Sequence, residues 1–304
     1  MKSYKEITTL DEALIILGKR AYPKSGHIVI LAGGAASGKG FVIQNLLGIE
    51  GKIMDVDDLK RLVFKMIDFG PALQLTLDDM YDAGDIKKKY NYRKIVYNPK
   101  ALGNPDIVKA VHITVAKLGL KDKKEQVLFT NIEFQANDKK PNIIFDVTLK
   151  NYTKLITLSD KITHMGYEKK KIHIVWVVND VAVAMEQNKD PSRGRVVPED
   201  ILFDTHKGAS ITMADIISNT KKTRKYMDGA IYLAFNKKGV DAEIVFKDKG
   251  SFSGKKTEEK TATIIKANYI KIKEPGKDVN VKAVTDDVKN KILAYVPKNT
   301  FIMD

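Results

Sequence analysis

The chain has 304 residues, 43% hydrophobic and 30% charged, which is typical of a globular protein with a substantial core. It has no cysteine, no apolar run of the roughly 18–20 residues that cross a bilayer and no apolar signal-peptide core, so we expect a cytoplasmic protein without disulfides, thiolate metal sites or a membrane span. The net charge of +14 favours polyanionic partners such as nucleotides or nucleic acids.

Helices and strands are predicted to alternate along most of the chain, beginning with an amphipathic helix over 4–20 and a buried strand over 27–32. Residues 70–126 are expected to be mainly helical and polar. Further strands are predicted at 52–54, 127–132, 142–145, 172–178 and 229–235, with helices ending near 47, 67, 165 and 188 and one starting at Pro198.

This alternation predicts an α/β fold whose core is a mainly parallel sheet flanked by helices. We place that core at residues 1–240, with a helical insertion at about 70–126. From about 241 the pattern changes to short strands, at 244–246, 262–265 and 269–272, and a final helix over 282–294. We therefore predict a small basic C-terminal α+β appendage at 241–304.

The strongest motif directly follows the first predicted strand. Its Gly-x4-Gly-Lys spacing is that of a loop that wraps the phosphates of a nucleoside triphosphate, with Lys39 reaching the outer phosphates. Where a serine or threonine would hold magnesium, the chain has glycine. The alternative is a glycine-rich turn that only packs a helix against a sheet. The predicted nucleotide-binding residues are Gly33, Gly34, Ala35, Ala36, Ser37, Gly38, Lys39 and Gly40.

Two carboxylates follow the second core strand, at the edge where open α/β sheets place ligands. Alternate residues of an extended segment point the same way, so Asp55 and Asp57 are able to face the phosphate loop together. We predict that Asp57 takes the proton from an attacking hydroxyl and that Asp55 orients magnesium. The alternative is an acidic cluster that caps the next helix, a role that suits Asp58.

Two later segments supply further candidates. Asp146, Thr148 and Lys150 follow another strand and are predicted to bind the acceptor, with a helix cap as the alternative for Asp146. Arg193 and Arg195 lie in a Pro/Gly loop where a lid would neutralise charge on the transferred phosphoryl group, and the alternative is a pair of solvated arginines.

A basic stretch at 87–94, continued by Tyr97 and Lys100, interleaves lysines with tyrosines. This composition suits a strand of nucleic acid, DNA or RNA, with lysines on phosphates and tyrosines on bases. The alternative is a solvated helix whose tyrosines face the core. His206 is expected to be structural or capping, and Trp176 to be part of the core.

Taken in order, these segments resemble the zeta toxin family of P-loop kinases. Besides the glycine-rich loop, residues 54–60 are similar to the family's Ile-Asp-x-Asp-x-Phe-Lys segment and 142–150 to its strand ending in Glu-Gly-Thr-Leu-Arg. Residues 194–198, continuing to His206, are similar to Ala-Arg-x-x-Pro. The chain departs from the family at Gly40 and at Asp146, which replaces glutamate. The family also has an arginine on the helix before the Arg-x-x-Pro segment, and residues 181–189 of this chain contain none.

The resemblance implies a P-loop kinase core in which Lys39 contacts the phosphates and Asp57 is the catalytic base. It also implies that Asp146 and Thr148 bind the acceptor and that Arg195 contacts phosphate. We therefore expect a magnesium-dependent kinase that transfers the γ-phosphate of ATP or GTP to a hydroxyl of a nucleic acid or nucleotide-like acceptor. One alternative is a toxin-like kinase of UDP-N-acetylglucosamine, the acceptor of family members. Another is a nucleotide- or nucleic-acid-binding protein that has lost catalysis.

Overall fold

The computed structural model describes residues 25–55, 69–133, 140–190, 196–235 and 269–280, apart from positions 46, 48, 50, 51, 97, 99 and 180. The predictions for the leading helix, the strands at 244–246 and 262–265 and the final helix lie outside these residues. So do Asp57, Arg193 and Arg195. The chain divides into two compact units, one within residues 1–54, 135–184 and 203–304 and the other within 55–134 and 185–202.

The first unit is built on a six-stranded sheet with the order β2-β3-β1-β4-β5-β6. β1 pairs in parallel with β3 and β4, β4 pairs in parallel with β5, and β6 is antiparallel to β5. Every residue of β1 and of β4 is buried, which explains the continuous apolar runs in their sequences. The strands are β1 (Ile28–Ala32), β2 (Lys52–Asp55), β3 (Ile143–Asp146), β4 (Ile172–Val178), β5 (Ile231–Phe235) and β6 (Tyr269–Lys273).

Helices connect these strands, and the predicted fold class, α/β with a mainly parallel sheet flanked by helices, is confirmed. Within the described part of the chain no helix is both long and apolar enough to span a membrane. The helices are α1 (Lys39–Asn45), α2 (Phe69–Asp82), α3 (Tyr92–Val96), α4 (Pro105–Lys117), α5 (Leu120–Glu133), α6 (Tyr152–His164), α7 (Val181–Lys189), α8 (Glu199–Ser218) and α9 (Thr220–Thr223), with 3₁₀ turns at Ala101–Gly103 and Lys169–Lys171.

The second unit contains α2 to α5 and has its own apolar core. Phe69, Leu73 and Leu77 of α2 pack there with residues of α4 such as Val111. Within this core the Thr114 hydroxyl donates to the Thr76 hydroxyl over 3.0 Å.

The strand predicted over 127–132 is wrong, because these residues belong to α5. Its burial follows a helical period: Glu125 and Ile132, seven residues apart, are buried, whereas Val127 is 64% exposed. A short apolar run cannot be assigned to helix or strand by periodicity alone, and here the preceding polar residues extend it into a 14-residue helix.

A pair of histidines lies where β1 and β4 begin. The His27 and His173 rings stack with centroids 5.3 Å apart, and His27 Nδ1 is 3.0 Å from His173 Nε2. The Ala230 N–H donates to His173 Nδ1 over 2.9 Å, so the His173 proton is on Nε2 and is donated to His27. Burial, reinforced by nearby positive charge, lowers the pKa of His27 to about 4 and that of His173 to about 3.

Both histidines are therefore neutral in the folded protein, whereas in the unfolded chain they titrate near their ordinary pKa of about 6.5. Below that pH the unfolded chain binds more protons, so the free energy of unfolding falls as the pH drops from about 6.5 towards 4. We expect a loss of roughly 2 kcal/mol for each histidine, and thus about 4 kcal/mol at most for the pair, between pH 7 and pH 5, measurable by urea denaturation. His173→Gln should reduce this pH dependence. His164→Gln, at an exposed position, should keep it, and an equal effect of both variants would contradict the assignment.

Lys273 is a second buried ionisable group near the sheet. Its side chain is fully buried, and Nζ donates to Asp228 Oδ1 over 3.0 Å and to the Gly229 carbonyl over 2.9 Å. The Arg224 Nε also donates to Asp228, over 2.9 Å. Burial lowers the pKa of Lys273 and the Asp228 carboxylate opposes that shift. Lys273 thus joins β6 to the residues that precede β5.

Candidate functional site

The predicted phosphate loop lies between the carboxyl end of β1 and the start of α1. Gly33, Ala36 and Gly38 have φ values of +149°, +58° and +94°, so the backbone turns tightly here. A Cβ at Gly33 would lie 2.8 Å from the Ser37 Oγ and 2.8 Å from the Val177 carbonyl oxygen. Position 33 therefore requires glycine. Ala36 adopts the left-handed region at a cost of about 1 kcal/mol, which the surrounding contacts must offset.

Lys39, the first residue of α1, folds back over this loop. Its Nζ donates to the carbonyls of Gly33 and Gly34, each over 3.0 Å. It also lies 3.8 Å from Asp146 Oδ1, and both side chains are 14% exposed. The amine is thus held at the mouth of the loop beside a carboxylate.

The predicted acceptor residues have different partners in the structure. Asp146 ends β3 and is in register with Leu31 of β1, which explains its approach to Lys39. It is not the cap of the following helix, because the Asn151 side chain caps α6 by accepting the Lys154 N–H over 2.9 Å. Thr148 is half-buried nearby along the chain, whereas Lys150 Nζ donates to Asp204 of α8.

Helix α8 makes contacts with the loop that its sequence gave little reason to expect. The Thr205 hydroxyl accepts the Ala35 N–H over 3.0 Å, and His206 Nε2 donates to the Ala35 carbonyl over 2.7 Å. His206, expected to be structural or capping, therefore lies against the phosphate loop. Directly after β4, the Asn179 amide donates to the Ala36 carbonyl over 3.4 Å.

Neither Thr205 nor Asn179 was among the predicted site residues. The one sequence signal was the continuation of the Ala-Arg-x-x-Pro resemblance to His206. Of the other predicted residues, Asp55 ends β2, which is separated from β1 by β3. Asp57, Arg193 and Arg195 lie outside the described residues, and their roles stay predictions.

No protein-family model matches the chain, and no curated protein shows significant sequence similarity to it. Among solved structures, it is similar to AvrRxo1-ORF1:-ORF2 with ATP, with a TM-score of 0.44 and 10% identity over 99% of this chain and 73% of that one. It is also similar to a structure from the PezAT chromosomal toxin–antitoxin system of Streptococcus pneumoniae, with a TM-score of 0.40 and 11% identity over 96% and 98%. At such values the likeness assigns no role to any residue.

In the second unit, two tyrosines of the basic stretch pack against other residues of that unit. The Tyr90 hydroxyl donates to Asp106 Oδ2 over 3.0 Å, and the ring is packed against the core cluster. A Cβ at Gly70 would lie 2.4 Å from the Tyr92 ring, so Tyr92 is similarly close to α2. These contacts favour the alternative in which the tyrosines face the core, and they leave base stacking by Tyr90 and Tyr92 without support.

Proposed function

We propose that this protein is a phosphotransferase that moves the γ-phosphate of ATP or GTP to a hydroxyl group of a nucleic acid or nucleotide-like acceptor. The observation that carries the proposal is the position of Lys39. Its amine lies over a tight glycine-rich loop at the end of a buried parallel strand, 3.8 Å from the Asp146 carboxylate at the end of the neighbouring strand. A lysine at that edge suits the binding of phosphates, and the carboxylate beside it suits a magnesium ion or an acceptor hydroxyl.

In the proposed reaction the loop from Gly33 to Gly40 binds the donor phosphates, and Lys39 exchanges its bonds to two loop carbonyls for bonds to the outer phosphates. The acceptor hydroxyl oxygen attacks the γ-phosphorus, and the bond from that phosphorus to the oxygen bridging to the β-phosphate breaks. Asp57 takes the hydroxyl proton. Arg195, with Arg193, neutralises charge on the transferred group.

Acceptor binding is proposed for Asp146, Thr148 and Lys150. Because Lys150 donates to Asp204 in the described structure, an acceptor phosphate or hydroxyl would compete with that carboxylate for the same amine.

Magnesium is the metal that a reaction of this kind uses, and the residues near the loop fit it in part. Carboxylates and water are the ligands that Mg²⁺ prefers. Asp146 supplies a partly exposed carboxylate beside the loop, and Asp55 is the further candidate from the sequence. Gly40 supplies no hydroxyl, but a Cβ there would meet no atom within 4 Å, which leaves room for a metal-bound water. When bound, the ion would neutralise charge on the donor phosphates.

The proposal is tested by incubating the protein with γ-labelled ATP or GTP and magnesium against DNA, RNA, nucleosides and nucleotide sugars. We expect label in a nucleic acid or nucleoside acceptor. Label confined to UDP-N-acetylglucosamine would favour the toxin-like alternative. Tight nucleotide binding with no transfer to any acceptor would contradict phosphotransfer and favour a binding protein, which the glycine at position 40 would permit.

A nucleic acid acceptor is favoured by the exposed cations of the basic stretch. Lys87, Lys94 and Lys100 are exposed, and each lacks an ion pair within the described chain. The nearby Asp85 is paired with Lys109 at 3.7 Å. These lysines are free to contact phosphates, and each phosphate contact adds to the salt dependence of binding.

Replacing Lys87, Lys94 and Lys100 together by glutamine should weaken binding of a labelled oligonucleotide and lower its log–log salt slope by about three. The measurement is fluorescence anisotropy over a range of salt concentrations. The control is a matched triple variant at exposed positions of the first unit, namely Lys207, Lys221 and Lys225. Equal losses in the two triple variants would mean that net charge alone is responsible.

A further inference from the structure

Two consecutive residues of α8 hold both polar groups of a single loop residue. Thr205 Oγ1 accepts the Ala35 N–H over 3.0 Å, and His206 Nε2 donates to the Ala35 carbonyl over 2.7 Å. Ala35 lies about 170 positions earlier in the chain, in the middle of the predicted phosphate-binding loop. Since a carbonyl oxygen only accepts, His206 must carry its proton on Nε2. The two bonds thereby fix the orientation of Ala35, one through its N–H and the other through its carbonyl.

The imidazole also lies directly against the loop backbone. His206 is 5% exposed, and a Cβ at Gly34 would lie 2.3 Å from two of its ring atoms. Only glycine at position 34 permits this approach. Further along α8, a Cβ at Gly208 would lie 2.6 Å from the Lys150 carbonyl oxygen, so the same helix also lies against the segment that follows β3.

We propose that Thr205 and His206 are positioning residues that hold the phosphate loop in its nucleotide-binding conformation. The inference rests on the proposed function and names residues that the sequence did not assign to it. A loop that is ordered before its ligand arrives loses less backbone entropy on binding. By fixing Ala35, the two side chains also fix the directions of the neighbouring loop amides, which are the groups proposed to contact phosphate.

The test compares Thr205→Val, which keeps the shape but removes the acceptor, with Thr205→Ser, which keeps the hydroxyl. Isothermal titration with ATP and magnesium should give about tenfold weaker binding for the valine variant, whose Ala35 N–H is left without its partner, and near-normal binding for the serine variant. Amide exchange at Ala35 should be faster in Thr205→Val and restored in Thr205→Ser. His206→Phe, which retains a ring but lacks the donor, should also weaken ATP binding.

The outcomes separate this inference from the function on which it rests. Failure of the wild-type protein to bind either ATP or GTP would overturn both. Normal ATP binding by folded Thr205→Val and His206→Phe, whether or not their melting temperatures fall, would overturn the positioning role alone and leave only helix packing. If Thr205→Val does not fold, His206→Phe decides in the same assay.

Discussion

Replacing Lys39 with alanine is expected to lower kcat/KM for the proposed phosphate transfer by roughly a hundred- to a thousandfold, the usual effect of losing one donor aimed at developing negative charge. In the described structure the amine lies within 3.8 Å of Asp146 and bonds to two loop carbonyls. Its removal deletes the cation that would contact the outer phosphates. The acid at the same edge would remain, and it repels an anionic donor.

The fold should survive this change, because the amine is partly exposed and the loop carbonyls can bond to water instead. Initial rates with labelled ATP, together with a thermal melt of each protein, separate lost chemistry from lost structure. Lys221→Ala removes the same charge from an exposed position and should transfer phosphate normally. Full activity in purified Lys39→Ala would rule out the proposed donor site.

Replacing Lys273 with methionine should lower the free energy of unfolding by about 3 kcal/mol, the lower end of the effect of breaking a buried ion pair. The fully buried amine bonds to the Asp228 carboxylate and to neighbouring carbonyls, and methionine can satisfy none of them. Arg224 still contacts Asp228, which limits the loss. The expected loss of unfolding free energy arises because the Asp228 carboxylate and the carbonyls are left buried without their donor.

Chemical denaturation at neutral pH provides this measurement. Lys271→Met is the matched control on the same strand, because Lys271 pairs with Glu274 at 2.7 Å but is 29% exposed and should contribute less than about 1 kcal/mol. The two substitutions remove the same charge from neighbouring positions. Similar destabilisation by both would show that strand β6, rather than the buried ion pair, accounts for the effect.

The parts of the fold that were predictable are those that local sequence determines. Residues 172–178 are continuously apolar because β4 is buried on both faces of a parallel sheet, and the prediction matched its bounds. Asn151 and Gly166 mark the two ends of α6 by ordinary capping chemistry. The strand predicted over 127–132 was wrong, because a short apolar run does not distinguish a strand from part of a helix.

The candidate site was predictable only where its residues follow strands. Asp146 approaches Lys39 because neighbouring parallel strands end at the same edge, which spacing alone indicates. The contacts of Thr205 and His206 with Ala35 join positions about 170 residues apart, and nothing in the local sequence of α8 specifies that partner. Such contacts depend on tertiary packing, which a single sequence does not display.

The open space around Gly40 bears on how this loop could change over time. With no atom within 4 Å of a Cβ at that position and no positive φ, serine fits without any repacking of its neighbours. The fold therefore does not impose the glycine. A single substitution separates this loop from the complete Gly-x4-Gly-Lys-Ser motif, so the hydroxyl is within reach of both natural variation and design.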